Sequence, residues 1–513
     1  MTRYTKGLVP IVLLILAGGG LAAQAIPVIE GPARLSVATP LGEGVLRLVG
    51  FHGREAISEL FSFQLDLVAP DGRQIPFEAV LGKEFRVTVS LPNGETRYVN
   101  GICSSFSQGD QGDVTSYQAE IVPKAWLLTR RSQSRVFQEL SVPQILARVL
   151  GVSPGIAYEL RLQGTYHPRN YVVQYNETDF AFISRLMEEE GISYFFTHDP
   201  DRHTMVFVNT PEGNPALSNP VPYRRDLTFP ARPSSIFKWE KTQEVRSGKV
   251  TLWDHHFETP GQTLEGSATI QGSVQVGQVV HRLDVAGNDQ LEIYDYPGGY
   301  AKRFDGVDPG GGERPDDLLM LADEAQRTAV LRMQEVAARG LAIEGVATAP
   351  GLTPGHAFSL SQHPSASGQY LLTSVQHAAR VVTAGGGAIY HNTFTCIPSG
   401  LPYRPPRTTQ KPIIPGTQTA YVVGPPGEEI FTDKFGRVKV QFHWDRQGQS
   451  DESSSCWIRV AQPNAGSGST VIPRVGWEVV VSFLEGDPDQ PIIVGSLFSP
   501  DRPPSLLLPA PED

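Results

Sequence analysis

The feature that most constrains this chain is a period of two that recurs in short runs along most of its length. In "LFSFQLDLVAP" the apolar Phe61, Phe63, Leu65 and Leu67 alternate with Ser62, Gln64 and Asp66, which commits one face of an extended strand to a core. "FRVTVSLPNGETRYVNG" reads as two strands joined across Asn93-Gly94, a pair that supplies the positive φ a tight hairpin needs. With 51 glycines and 42 prolines in 513 residues, turns are frequent enough to join many such strands. Helical spacing appears in only three places. "SVPQILARVLG" has Ser141 as N-cap and Gly151 past its end, and "ETDFAFISRLMEEEG" has Thr178 or Asp179 as cap and Gly191 as stop. The third, "RPDDLLMLADEAQRTAVLRMQEVAARG", starts at Pro315, with Asp316 and Asp317 at the positive end of its dipole, and ends at Gly340. The expected class is mainly β with a few helices, in about three domains at roughly 150 residues each.

Several segments mark the organisation. Leu8 to Ala23 carries no charge, follows Arg3 and Lys6, and leads into Ala23-Gln24-Ala25, an A-x-A pattern. Residues 1–25 therefore read either as a secretory signal peptide or as a start set in the wrong place. The proline-rich residues 401–416 cannot pair within a central sheet and are placed as a linker. After them come five strand-like runs, "TAYVVG", "GRVKVQFHW", "CWIRVAQ", "WEVVVSFL" and "QPIIVGSLF", which suggest a small closed barrel of the OB type over 417–500. A tail, 501–513, is expected to be disordered.

The search for chemistry returns no catalytic, cofactor-binding or metal-binding residue. Asp254, His255, His256 and Glu258 in "LWDHHFE" crowd four ligand types together, but adjacent histidines on a strand face opposite ways, and the group reads as surface and edge residues. Glu188, Glu189 and Glu190 fan out over more than half a helical turn and read as a solvated helix end. Asp487 and Asp489 in "EGDPDQP" fit turn geometry without calcium. Cys103, Cys396 and Cys456 show neither disulfide nor zinc spacing and are placed in the core. No phosphate-binding glycine loop or nucleophile elbow occurs. A formal charge of −11 argues against a nucleic-acid partner. In "DKFGRVKVQFHWDR", counting by twos puts Val438, Val440, Phe442 and Trp444 inside the barrel, and Lys439, Gln441, His443 and Asp445 outside.

Three stretches resemble one family. "FHGREAISELFSFQLDL" (51–67) resembles the opening of VgrG proteins, the trimeric spikes of the bacterial type VI secretion system. "RNYVVQYNETDFAFISRLMEEEGISYFF" (169–196) resembles their most distinctive signature. "FTDKFGRVKVQFHWDR", "SSSCWIRVAQPNAGSG" and "IPRVGWEVVVSFLEGDPDQPIIVGSLF" resemble the OB module that VgrG shares with contractile-phage spikes. The resemblance implies phage-hub-like β-barrels in two parts, 33–230 and 231–400, followed by an OB-fold neck. It implies a homotrimer seated on an Hcp tube, partnered by PAAR, adaptor or effector proteins, that meets a target membrane on injection. Assembly in the cytoplasm and export through the type VI apparatus would follow, with Sec export left open by the leader. No β-helix needle is expected after Phe498. Structural or interface roles fall to Tyr175, Arg185, Gly191, Gly436, Trp444, Trp457, Pro473, Gly476 and Gly486. The alternatives are a truncated or split spike of a phage-like contractile tail, a phage-spike-type cell-wall hydrolase, or a stand-alone OB module binding oligosaccharide or single strands, which would need aromatic stacking and a basic groove.

Overall fold

The computed structural model describes residues 33–504, except 92–93, 111–113, 226–233, 383–386 and 465–469. The leader, most of the tail and Asn93 of the expected hairpin lie outside the described residues.

The alternating segments build two barrels that share a strand pair. Arg47–Ala56, Ser62–Ala69, Thr115–Val122, Thr96–Gln108, Glu84–Ser90, Ala33–Ala38, Gly387–Pro398 and Gly368–Val381 each pair with the next, and the last returns to the first. Phe61, Phe63, Leu65 and Leu67 are buried in this ring as their spacing requires. A second ring runs from Gly368–Val381 through Ala357–Ser361 and Val221–Pro222, crosses a Tyr223–Ile236 bridge to Ile236–Gln243, and returns by Leu341–Ala347 and Gly387–Pro398. The shared pair changes allegiance along its length. Ala379 and Tyr390 pack into the first core, whereas Tyr370, Leu372, Val375 and Phe394 pack into the second. A bulge between Leu372 and Ser374 resets the alternation within the second-barrel half, so that Leu372 and Val375 both face its core.

The three expected helices form as α1 (Val142–Gly151), α2 (Asp179–Glu190) and α3 (Pro315–Ala338). Ser141 and Gln144 make a capping box on α1, whose last residue is Gly151. Thr178 caps α2, its Oγ1 accepting from the Ala181 amide at 3.1 Å. Among the described residues no helix is long and apolar enough to cross a membrane. All three cysteines are free and buried.

The C-terminal unit is a five-stranded sheet in the order Lys439–Phe442, Gln418–Val423, Glu478–Phe483, Pro491–Leu497, Arg459–Val460, closed into a barrel by a bridge between Val438 and Ile458. Val438, Val440 and Phe442 face inward as their spacing predicts, and His443 is exposed. The solvent-facing assignment of Lys439 and Asp445 is corrected, whereas Trp444 packs against the barrel core beside Phe442, as its spacing predicts. The strand stops at Phe442 and the chain turns at His443-Trp444, so a period of two cannot be carried on to Asp445. Trp444 is half-buried and Asp445 is buried in the turn, accepting from the Gln447 amide. Lys439 is buried because its ammonium reaches the Glu452 carbonyl at 2.6 Å and lies over the Trp457 ring.

Candidate functional site

The seam between the double barrel and the C-terminal barrel is built from the strand Arg169–Thr178. Its alternation makes it two-sided: Val172 packs into the core of the first barrel, while Tyr171, Val173 and Tyr175 pack into that of the C-terminal barrel. The Val173 amide donates to Asp489 Oδ1 at 2.7 Å. Tyr175 Oη accepts from Gln418 Nε2 at 2.8 Å, Gln418 Oε1 accepts from Trp444 Nε1 at 3.0 Å, and the Tyr175 and Trp444 rings meet edge to face. Arg185 on α2 is buried, pairs with Glu177 at 2.8 Å and donates to the Val173 carbonyl. The middle of α2 thereby fixes the strand from behind.

The acidic run at the end of α2 is not solvated. The fan of three directions that rules out a catalytic pair instead gives each carboxylate a different partner. Glu188 accepts from the Thr409 amide and hydroxyl. Glu189 pairs with Arg169 at 2.6 Å. Glu190, 5% exposed, pairs with Arg169 and Arg327 and lies 3.7 Å from Arg303, while Arg303 and Arg327 also hold Glu324 of α3. Burial alone would push the Glu190 carboxyl up, but Arg169, Arg303 and Arg327 hold it down at about 2. Gly191 then turns the chain at φ +65°, and its carbonyl accepts from Arg404 of the proline-rich connector at 2.9 Å.

"EGDPDQP" does more than turn. Asp487 does accept from the Asp489 amide in a turn, but its carboxylate pairs with Lys302 and Lys411, and Asp489 pairs with Lys411 at 2.6 Å. Burial would raise the Asp487 carboxyl, and the two ammonium groups hold it well below the usual carboxylate range. Gly486 sits at positive φ where an added Cβ would meet Ile413 Cγ2 at 2.5 Å, so the connector passes directly against it.

"LWDHHFE" is likewise not mere surface, although His255 is exposed as the alternation requires. Buried Asp254 accepts from the Tyr300 and Ala301 amides at 3.0 Å each. His256 Nδ1 accepts from the Glu258 amide, which leaves Nε2 to donate to the Phe304 carbonyl at 3.2 Å. Glu258 accepts from the Gly306 amide. Together they pin the loop that carries Lys302, Arg303 and Asp305 into the seam. Asp305 receives both terminal nitrogens of Arg437, at 2.7 and 2.9 Å, while the Nε of Arg437 donates to Asp433 at 2.6 Å. Buried Trp457 donates to the Asp308 carbonyl at 2.8 Å.

The remaining expected residues shape the barrel corners. Gly436 and Gly476 take positive φ in the turns after Asp433 and Arg474, and Pro473 is buried beside the second. A cleft of about 340 Å³ opens along the seam, lined among others by His255, Tyr296, Arg437, Trp457 and Glu485. Among the described residues no group of three or more His, Cys, Asp or Glu is placed to hold a metal ion. Sequence reasoning missed Arg169, Lys302, Asp305, Lys411 and Arg437. The available signal was charge set inside apolar or proline-rich surroundings, which points to a buried partner without naming it.

A family model described as the phage tail baseplate hub matches residues 54–382, and one described as the type VI secretion system/phage-baseplate injector OB domain matches 430–498. The chain is 40% identical over 489 residues to the type VI secretion system spike protein VgrG1c of Pseudomonas aeruginosa, covering 92% of this chain and 62% of that one. It is 39% identical over 491 residues to VgrG1a of the same organism, covering 93% and 71%. Its fold matches the Escherichia coli c3393 protein, described as a component of the type VI secretion system with structural similarity to the T4 bacteriophage tail proteins gp27 and gp5. That match has a TM-score of 0.59 at 20% identity and covers 92% of this chain and 99% of that one. The chain thus spans about three fifths of the length of VgrG1c.

Proposed function

Because the chain belongs to the VgrG family of type VI secretion spike proteins, we propose that it is the hub and neck of a contractile injection spike, working as a load-bearing part without a catalytic step of its own. The hub comprises residues 33–400 in two parts divided near 230, the connector 401–416, and the neck 417–500. The observation that carries this reading is the seam. A spike driven along its axis must pass force from hub to neck, and here buried ion pairs and a two-sided strand join them. Tyr175, Arg185, Gly191, Trp444, Trp457 and Gly486 serve as joint residues, and Gly436, Pro473 and Gly476 as barrel corners.

The working form is a homotrimer seated on an Hcp tube, with a PAAR, adaptor or effector protein carried toward a target membrane. It assembles in the bacterial cytoplasm and leaves through the type VI apparatus. Multi-angle light scattering on the purified chain should give three times the 55.9 kDa protomer mass. A stable, folded monomer across micromolar concentrations overturns the reading. The baseplate-hub match also favours a second reading, the spike of a phage-like contractile tail. Pull-down with a purified Hcp hexamer distinguishes the two: retention supports the secretion spike, and its loss with trimerisation intact supports the phage-like tail.

A further inference from the structure

A small sheet outside both barrels carries a surface that the spike reading leaves without a task. Its strands run in the order Leu264–Thr269, Lys249–Asp254, Glu292–Asp295. The inner face, Val250, Leu252, Leu264 and Ile293, packs on Leu321, Ala325 and Ala329 of α3. Alternation and register send the aromatic residues to the other face. There Trp253 is 36%, Tyr294 60% and Tyr296 48% exposed. The Trp253 and Tyr296 rings lie 5.2 Å apart, forming a shallow aromatic shelf.

The shelf borders an open edge. Among the described residues, Glu292–Asp295 pairs with Lys249–Asp254 on one side only, in parallel. Exposed edges are usually blunted by shortness, charge, proline or a bulge; this edge is short and carries Glu292 and Asp295, a charge that repels copies of itself and admits a cationic strand. It holds no proline or bulge, and Leu291 before it is 48% exposed. Charge narrows the choice of partner. From Asp289 to Tyr296 the chain carries Asp289, Glu292 and Asp295 and no cation. Glu292 is met by Lys249 at 2.9 Å and Asp295 by Arg332 at 3.4 Å. Exposed Asp289 has no cationic partner among the described residues; its recorded contact is the Gln290 amide.

We propose that this edge is a strand-addition site for a partner protein, taking an extended segment in which apolar side chains alternate with lysine or arginine. Main-chain hydrogen bonds to Glu292–Asp295 hold the segment, its apolar side chains lie beside Tyr294 and Tyr296, and its cations, on the opposite face, meet Asp295 and, beyond the start of the strand, Asp289. The site lies outside the seam and does not depend on the spike reading.

The test uses the full chain and three fluorescent synthetic peptides: one alternating valine or tyrosine with lysine, the same peptide with glutamate for lysine, and the lysine peptide interrupted by prolines. Anisotropy should show saturable binding of the first, at least about tenfold tighter than of the other two. Tyr294→Ala and Asp289→Lys should each weaken it by about tenfold with melting temperature unchanged, and peptide binding should slow amide exchange across residues 291–296. Failure of the lysine peptide to bind, equal binding by the glutamate peptide or by both variants, or protection confined to another surface overturns the proposal.

Discussion

Glu190 is the residue on which the seam most depends, since three guanidinium groups converge on one buried carboxylate. Glu190→Gln leaves Arg169, Arg303 and Arg327 with only Glu189 and Glu324 between them. Removing one partner from a buried ion-pair network costs about 3–5 kcal/mol, so the variant should lose about that much in urea unfolding at pH 7. The pH dependence follows from the direction of the shift. The folded carboxyl is held down at about 2, so its contribution is complete above the ordinary value of 4.5 and is lost as pH falls toward 2. The gap between wild type and variant should therefore shrink between those values. The sequence shows that three consecutive glutamates must diverge, but not what lies across from each. Arg327 is 137 positions from Glu190, and helical periodicity holds no information on that approach. His443 was easier to place: its strand sets its outward direction, and its contact with Thr419 Oγ1 is local to the same barrel.

At the level of the element, α2 was legible at both ends because caps are local chemistry. Thr178 and Gly191 carry out the roles their residue types suggest. Gly191 also has a second role that no local rule contains. A Cβ there would stand 2.8 Å from Leu331 Cδ2 and 3.1 Å from Arg404 Cδ, as well as straining φ. Gly191→Ala should cost about 1–3 kcal/mol and be read as a lower melting temperature with helix content retained. The strand Lys439–Phe442 gives the opposite lesson. Its pattern fixed the buried face, Trp444 included, but its end is set by the turn at His443-Trp444, and extending the alternation past that turn misplaced Asp445. The strand Arg169–Thr178 stood out in the sequence only as part of the stretch that resembles the family. That both of its faces are buried, against two different cores, emerges only once the barrels are assembled.

For the whole molecule, the mainly β layout and the five-run C-terminal barrel could be read from alternation and turn residues. The fusion of two barrels through one strand pair could not, because it joins residues near 33 to residues near 388. How tightly the barrels act together is testable at the seam. Asp487→Asn with Asp489→Asn leaves Lys302 and Lys411 without their carboxylates. The cost should be on the order of 2 kcal/mol, because these lysines are partly open to solvent. Trypsin should then cut faster within residues 401–416, and calorimetry should resolve the C-terminal barrel as a separate, earlier transition; one unchanged transition would mean that apolar packing alone couples the units. The shared strand pair also governs how the chain is made. Ala33–Ala38 leaves the ribosome early, yet its neighbour in the ring, Gly387–Pro398, is translated some 350 residues later. At roughly 5–20 residues per second this is a wait of about 20–70 s. Until then the first barrel lacks the two strands that close it, and Ala33–Ala38 and Arg47–Ala56 have no partner on their outer sides, the exposed-edge condition that favours misassembly.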